Sequence, residues 1–497
     1  MRPTATTTII WSFTVVGLLL RLERFLSAGP RNGIVGYDDG VYFGASVRLV
    51  HGSLPYRDFV FVHPPVITEL LAPLAALSPH VSTVHLVAVA RILTALVGTA
   101  TIPLLGRLLR HRGPLAVAVG CGVLALHEGS IATTRAVLIE PYLAFFVVLA
   151  LVILFDGDEP AGPKRTFWAG VVLGVAAATK IWALGPIVVV LALFARDRSR
   201  LRRLAAGVVL GGAVPCLPLF IAAPHDFVRD VVVAQLTRHT QRSGEFDRMD
   251  EMLGLAGFDP MPHAVTFAVV VVLVVLLVLG YRRLWRTQQR RPNRLEVLAI
   301  AATLVTLAMF YAADIFFWHY AGFFAVFLSL LLALPLTGMA VSRPHARPVL
   351  AGLLVAALAA GAYAYSSIAY NHKHYWTNVA VARIDAVLPA GGCIINDNPA
   401  FALAVDRLAT LATCPVIVDP FGTGLVFGNG KVGPAARRAA HVRKVWTAAF
   451  EHADALLLRR ASLRFLPWKE LRPYVLRHFR IARFGHGSYL VFTRRGS

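Results

Sequence analysis

The sequence is short of charge, and above all of acid. Only 15% of its 497 residues are Asp, Glu, Lys or Arg, and 27 acids face 49 bases, for a formal net charge of +22. About a quarter of a soluble globular domain is charged, so this composition excludes an ordinary soluble fold. Cysteine is also scarce. There are 4, with no CxxC pair and no Cys/His cluster at metal-ligand spacing, so no zinc site is indicated. Cys121 and Cys216 lie in apolar segments and read as packing residues. Cys393 and Cys414 lie in the hydrophilic C-terminal part and can pair if that part is outside the cytosol. Internal repeats, low-complexity tracts and a nucleotide-binding glycine loop are all absent.

Apolar runs fill the space instead. The chain is 57% hydrophobic, and a helix needs roughly 20 apolar residues to cross a bilayer. Such segments fall near 8–27, 83–107, 114–127, 136–155, 166–179, 181–195, 204–223, 263–281, 295–313, 320–341 and 349–369. The expectation is an α-helical polytopic membrane protein of about eleven spans. The first run follows Arg2 and is not followed by a clean small-x-small site, so it reads as a retained helix and not as a cleaved signal. The stretch 64–79, "PPVITELLAPLAALSP", is broken by prolines and Glu69 and reads as a helix lying at the interface.

Short basic loops set the orientation. "RLLRHR" (107–112), "RDRSRLRR" (196–203), "YRRLWRTQQRRPNR" (281–294) and "SRPHARP" (342–348) are expected on the cytoplasmic side, and "DGDEPAGPKR" (156–165) with them. Both flanks of 166–195 are then cytoplasmic, which requires two short helices turning near Lys180. The same count puts 28–82, 127–135, 224–262, 314–320 and everything after 370 outside, with the N-terminus inside. The tail reads as short strands ("GGCIIND", "CPVIVDP", "ADALLLRR", "FRIARFG", "SYLVFTRR") and an amphipathic helix, "PAARRAAHVRKVWTAAFEHA". The expected organisation is a membrane module over 1–369, including the loop 28–82, and a small extracytoplasmic α/β domain over 370–497. Much of the positive charge follows the positive-inside pattern, and the basic tail suits anionic headgroups or polymers. Nucleic acid is not needed to explain it.

Polar groups converge on the non-cytoplasmic face. Asp38 and Asp39 follow the first span, and His63 shares their loop. Arg135 and Glu140 open the fourth span, Lys180 marks the turn, and His319 and Tyr320 open the tenth span. Gln235, Arg238, His239 and Arg242 occupy the loop 224–262. Each has a plain structural use. One of the two aspartates can cap the interfacial helix at 40–51, Arg135 can snorkel and pair with Glu140, and Lys180 can cap its turn. Those uses do not predict that carboxylates and cations from separate segments gather on one side. Transfer of a group from a lipid phosphate needs this mixture. A carboxylate at the water–membrane boundary takes a proton from an acceptor hydroxyl, and Lys and Arg stabilise the charge that grows on the departing phosphate.

The motifs "YDDGVY", "LPYRDF", "HPP", "TTRAVLIEPYLAFF", "GVVLGVAAATKIWAL", "FVRDVVVAQLTRHTQR", "FFWHYAGFF" and "GCIINDNPAFALAVDR…VDP" resemble, in order and topology, those of the type C glycosyltransferases that use polyprenyl-phosphate sugars. The nearest group is that of the protein mannosyltransferases and aminoarabinose transferases, which is glycosyltransferase family 39-like. His63 departs from the pattern, since the family often has Lys there and His is only partly protonated near neutral pH. The resemblance implies Asp38 as catalytic base and Asp39 as its structural or substrate-binding neighbour. It implies Lys180, Arg238 and His63 at the donor phosphate, with Arg135, Glu140, His319 and Tyr320 lining the cavity. It also implies inversion at the sugar carbon, a polyprenyl-phosphate sugar donor, and a glycan, lipid or protein acceptor in contact with membrane lipids at the plasma membrane. Some type C enzymes need a divalent cation, and this group generally does not. A transporter of lipid-linked sugars would place its ionisable groups at the midplane within repeated, broken helices, and neither feature is found. A non-catalytic cell-wall assembly protein would not need Asp38, Lys180 and Arg238.

Overall fold

The computed structural model describes residues 5–27, 36–238, 244–256, 262–337, 378–408, 414–415, 417–431, 434–484 and 488–496. The expected span at 349–369, the basic loop 342–348, the end of the span 320–341, His239 and Arg242 lie outside the described residues. The chain divides into two compact units. One collects Met1–Ser27, Ile92–Val214 and Arg242–Asn371. The other collects Ala28–Arg91, Pro215–Gln241 and His372–Ser497, so the first loop and the tail share a unit.

The early helices are α1 (Ala5–Ser27), α2 (Tyr37–Val50), α3 (Val66–Ala75), α4 (Thr83–Leu109), α5 (Pro114–Leu126), α6 (Glu128–Ala132), α7 (Glu140–Leu154), α8 (Pro163–Thr179), α9 (Leu184–Leu193) and α10 (Arg198–Ala222). They are followed by α11 (Pro224–Val228), α12 (Ala234–Leu236), α13 (Glu245–Leu253), α14 (His263–Thr287), α15 (Arg294–Ala312) and α16 (Tyr320–Ala333). Each expected span up to 320–341 contains a helix, although 136–139, expected in a span, precede α7 as non-helical chain. Among the described residues, five helical segments are long and apolar enough to cross a membrane: Ala5–Glu23, Thr83–Arg112, Arg198–Ala222, His263–Thr287 and Arg294–Ala312. The apolar helices at Pro114–Leu126, Glu140–Leu154, Ile181–Leu193 and Tyr320–Leu336 are shorter. In hydrocarbon a helix satisfies its own backbone groups, which is why these runs are helical and why α14 leaves Val272, Leu276 and Leu279 exposed on its outer face.

In the first unit, glycines let α8 and α10 touch backbone to backbone. A Cβ on Gly174 would lie 2.2 Å from the Val208 carbonyl, and one on Gly211 would lie 2.0 Å from that of Val171. Such small-residue seams are how helices associate without a hydrophobic driving force. The helical run breaks at Lys180, which is extended (φ −157°, ψ 136°). On either side of the break, α8 packs on α7 and α9 on α15.

Beyond the other end of α7, loops that the charge pattern assigns to one side meet directly. Arg112 pairs with Glu296 at 2.8 Å and with Asp158 at 2.5 Å, Arg290 reaches Glu296 at 2.5 Å, and Arg200 donates to the Ala161 carbonyl at 3.4 Å. Arg112 and His111 together hold the Asp158 carboxyl below its usual range against the opposing effect of burial.

In the second unit, α2 packs on α3 and on the helix Pro399–Ala404. A four-stranded sheet has the order β1 (Ile394–Asn396), β2 (Ala455–Arg459), β4 (Tyr489–Arg494) and β3 (Phe479–Phe484). β1 runs parallel to β2, with Ile395 opposite Leu456, and the other neighbours are antiparallel, with Leu457 opposite Val491 and Ile481 opposite Phe492. Ile394, Phe401, Leu457, Phe484 and Val491 form its core. The amphipathic segment forms the helix Ala440–His452. Cys393 and Cys414 are joined in a disulfide. The described residues of "CPVIVDP" form no strand. Asp419 instead caps the helix Pro420–Phe427, accepting the Gly422 N–H at 2.8 Å, so the helix-start signal Asp-Pro prevails over the β-propensity of Val and Ile.

Candidate active site

In the second unit, Gly36 is extended (φ −113°, ψ 139°) and α2 starts at Tyr37, which puts Asp38 and Asp39 in the first turn. Free N–H groups and the helix dipole favour acid there. The helix thus begins earlier than the expected 40–51, its N-cap is Gly36 and not an aspartate, and Asp39 at the third helical position accepts the Gly36 N–H on Oδ2 at 3.1 Å. Asp39 is fully buried and receives Arg91 at both oxygens, Nε at 3.1 Å and Nη2 at 2.5 Å. Asp38 is only half-buried. One turn further on, the Tyr42 hydroxyl lies 3.3 Å from His63 Nε2, and Tyr56 donates to the His63 carbonyl at 2.7 Å.

Tyr37, next to Asp38, donates to Asp419 Oδ1 at 2.7 Å and accepts the Phe421 N–H at 2.8 Å. Burial, followed by the Asp419 charge, pushes the Tyr37 phenol well above its usual range. Burial also raises the Asp419 carboxyl, against its hydrogen bonds and the nearby Arg238 charge. Arg238 lies 5.4 Å from the Phe421 ring, and Gln235 donates to the Val62 carbonyl at 2.6 Å. Asp38, Asp39, His63 and Arg238 therefore all belong to this unit.

The first unit gathers Glu140, Lys180, His319 and Tyr320, all buried. Glu140 opens α7, and His319 precedes α16. Lys180 donates to Glu140 Oε1, and His319 Nδ1 is 2.8 Å from the same oxygen. The Lys180 ammonium sits 4.4 Å from the Tyr320 ring centroid. Glu140 Oε2 has no hydrogen-bond partner among the described residues. Arg135 is buried in the turn leading into α7, within reach of the charge of Arg21. Among the described residues, no group of three or more His, Cys, Asp or Glu side chains is placed to hold a metal ion.

A sequence model of glycosyltransferase family 87 matches residues 61–310, half of the chain. The chain belongs to glycosyltransferase family 87. The matching family is thus numbered 87 and not 39, while the wider resemblance to type C glycosyltransferases holds. The fold of this family 87 member is similar to that of ArnT from Cupriavidus metallidurans bound to undecaprenyl phosphate, at 16% identity over 99% of both chains with a TM-score of 0.62. It is also similar to the Archaeoglobus fulgidus oligosaccharyltransferase in complex with zinc and sulfate, at 13% identity over 97% of this chain and 73% of that one (TM-score 0.55). The archaeal oligosaccharyltransferase AglB from Archaeoglobus fulgidus in complex with an inhibitory peptide and a dolichol-phosphate matches at 12% identity over 99% of this chain and 74% of that one, with a TM-score of 0.53. No curated protein matches.

Three residues of the candidate site escaped the sequence reading. Arg91 had a signal, as the one base within the apolar run "VAVARILTALVG", where a charge implies a partner. Asp419 stood in the quoted "VDP" without a role. Tyr37 had no signal, because its partner is 382 residues away.

Proposed function

We propose that this membrane glycosyltransferase moves a sugar from a polyprenyl-phosphate donor to an acceptor hydroxyl at the extracytoplasmic face of the plasma membrane, with inversion and with Asp38 as general base. The unequal burial of the acidic pair carries this reading. Asp39 is sealed against Arg91, whereas Asp38 keeps access to solvent and so is the carboxylate an incoming hydroxyl can reach. In the transfer, Asp38 takes the hydroxyl proton as that oxygen bonds to the sugar C1. The bond from C1 to the phosphate oxygen breaks, and the electron pair leaves with the polyprenyl phosphate. A single displacement inverts the carbon.

Lys180, Arg238 and His63 are assigned the role of binding the departing phosphate, where preorganised cations are worth most. Lys180 rests on Glu140 until the donor arrives. Glu140, His319, Tyr320 and Arg135 are assigned to the lining of the donor cavity. The undecaprenyl and dolichol phosphates on the structurally similar proteins support the donor class, and the acceptor is a glycan, lipid or protein hydroxyl. The meeting of the basic loops around Glu296 and Asp158 supports one cytoplasmic side. The Cys393–Cys414 disulfide supports a C-terminal part in an oxidising compartment, with the N-terminus inside.

The test is sugar transfer in membranes from undecaprenyl-phosphate mannose and undecaprenyl-phosphate arabinose, comparing wild type with Asp38→Asn. Loss of about 10²–10⁴-fold at equal protein level is expected for removal of a general base. Transfer that survives in Asp38→Asn moves the base elsewhere, and a wild type inactive with both donors removes the donor assignment.

A further inference from the structure

Asp38 sits between two ties to the C-terminal part of its own unit. On one side, Tyr37 is gripped twice, by Asp419 Oδ1 and by the Phe421 N–H, so its ring has one orientation. On the other, Gly40 lies against the start of the helix Pro399–Ala404, where an added Cβ would come within 2.3 Å of Ala400 N and Pro399 C. Asp419 has a second neighbour, since Arg238 stacks over Phe421 and its charge reaches the Asp419 carboxylate.

We propose that Tyr37 and Asp419 are positioning residues for the transfer. The Tyr37–Asp419 hydrogen bond sets the turn that carries the base, and the Asp419 charge aligns Arg238 for the donor phosphate. This rests on Asp38 being the base. A displacement of about 1 Å in a reacting group can cost roughly 10²-fold in rate, whereas a charge that orients a phosphate-binding arginine acts on donor affinity. The two roles therefore separate. The hydrogen bonds to the Asp419 side chain from Tyr37 and from the Gly422 N–H both end on Oδ1, with the Phe421 N–H a further backbone donor to the carboxylate. An asparagine oxygen can accept the first two without the charge.

The experiment measures kcat and donor KM for the full chain in membranes, with the undecaprenyl-phosphate sugar that wild type transfers, for Tyr37→Phe, Asp419→Asn, Asp419→Ala and Asp38→Asn. Tyr37→Phe is expected to lower kcat about 10- to 100-fold with KM changed less than about 2-fold. Asp419→Asn is expected to keep kcat within about 3-fold and to raise KM about 3-fold or more, and Asp419→Ala to show both defects. A clamp that merely holds the fold together would lower the amount of folded protein without splitting kcat from KM. An inactive Asp38→Asn beside an unimpaired Tyr37→Phe overturns this proposal alone, and an active Asp38→Asn overturns the base assignment and this proposal with it. If Tyr37→Phe does not accumulate, the contrast between Asp419→Asn and Asp419→Ala decides, and equal kcat losses in the two overturn it.

Discussion

Arg91 grips Asp39 along both carboxylate edges, at 3.1 and 2.5 Å, with the two side chains 6% and 0% exposed. Removing one member of such a pair leaves a buried charge uncompensated, at a cost of about 3–5 kcal/mol. Arg91→Ala and Asp39→Asn should therefore lower the unfolding temperature and the yield of folded protein. Asp38→Asn, one residue away, should leave the unfolding temperature within a few degrees of wild type while abolishing transfer. Thermal unfolding in detergent beside the transfer assay separates the two aspartates, and equal thermal losses would end the division of roles.

Lys180 is neutralised by Glu140 and shielded by the Tyr320 ring. If its ammonium serves the donor phosphate, Lys180→Ala should bind undecaprenyl phosphate about tenfold or more weakly, since an N⁺–H···O⁻ bond is lost. Glu140→Gln frees the ammonium and should bind at least as tightly as wild type. Titration in nanodiscs, followed by tryptophan fluorescence, measures both. Weaker binding in Glu140→Gln would make the pair purely structural.

Asp397 accepts the Arg459 N–H at both carboxylate oxygens, yet burial raises its carboxyl from 3.8 to about 7. Between those values the folded chain keeps a proton that the unfolded chain has lost. The stability it confers is complete below about pH 4, falls as pH rises to about 7, and is level beyond that. The slope is at most about 1.4 kcal/mol per pH unit. Asp230, raised to about 6 chiefly by burial, slopes the same way, so the readout is a difference. Asp397→Asn should flatten the fall in unfolding temperature between pH 4 and 7 and should be the more stable protein at pH 8. A parallel displacement of the whole curve would contradict this.

The disulfide joins cysteines 21 residues apart, a closure worth about 3 kcal/mol on the loop-entropy view. Alkylation of the unfolded protein without reductant should modify Cys121 and Cys216 and spare Cys393 and Cys414. Cys393→Ser should lower the unfolding temperature. Four reactive thiols in protein isolated from membranes would place the tail in a reducing compartment.

The helices were legible because each apolar run has one stable form in lipid, and the candidate site residues stood out because charge is rare here. Pairings were not. Glu140 and Lys180 are 40 residues apart, and either could have served another partner. The division of labour between Asp38 and Asp39 depends on Arg91, which approaches from another helix, and no periodicity within "YDDGVY" encodes it. The segment around Asp419 misled in the other direction, since Ile417 and Val418 look like a strand while the next two residues start a helix.

The contact of Gly40 with Pro399 and Ala400 ties the order of synthesis to the onset of function. α2 leaves the ribosome long before the segment it leans on, and at ~5–20 residues per second the delay is on the order of tens of seconds. During that interval the acidic turn exists without its seat. If Asp38 is the base, as proposed, a nascent chain completes its reactive turn only after the segment around Pro399 has been made, and so spares its donor until synthesis is nearly finished.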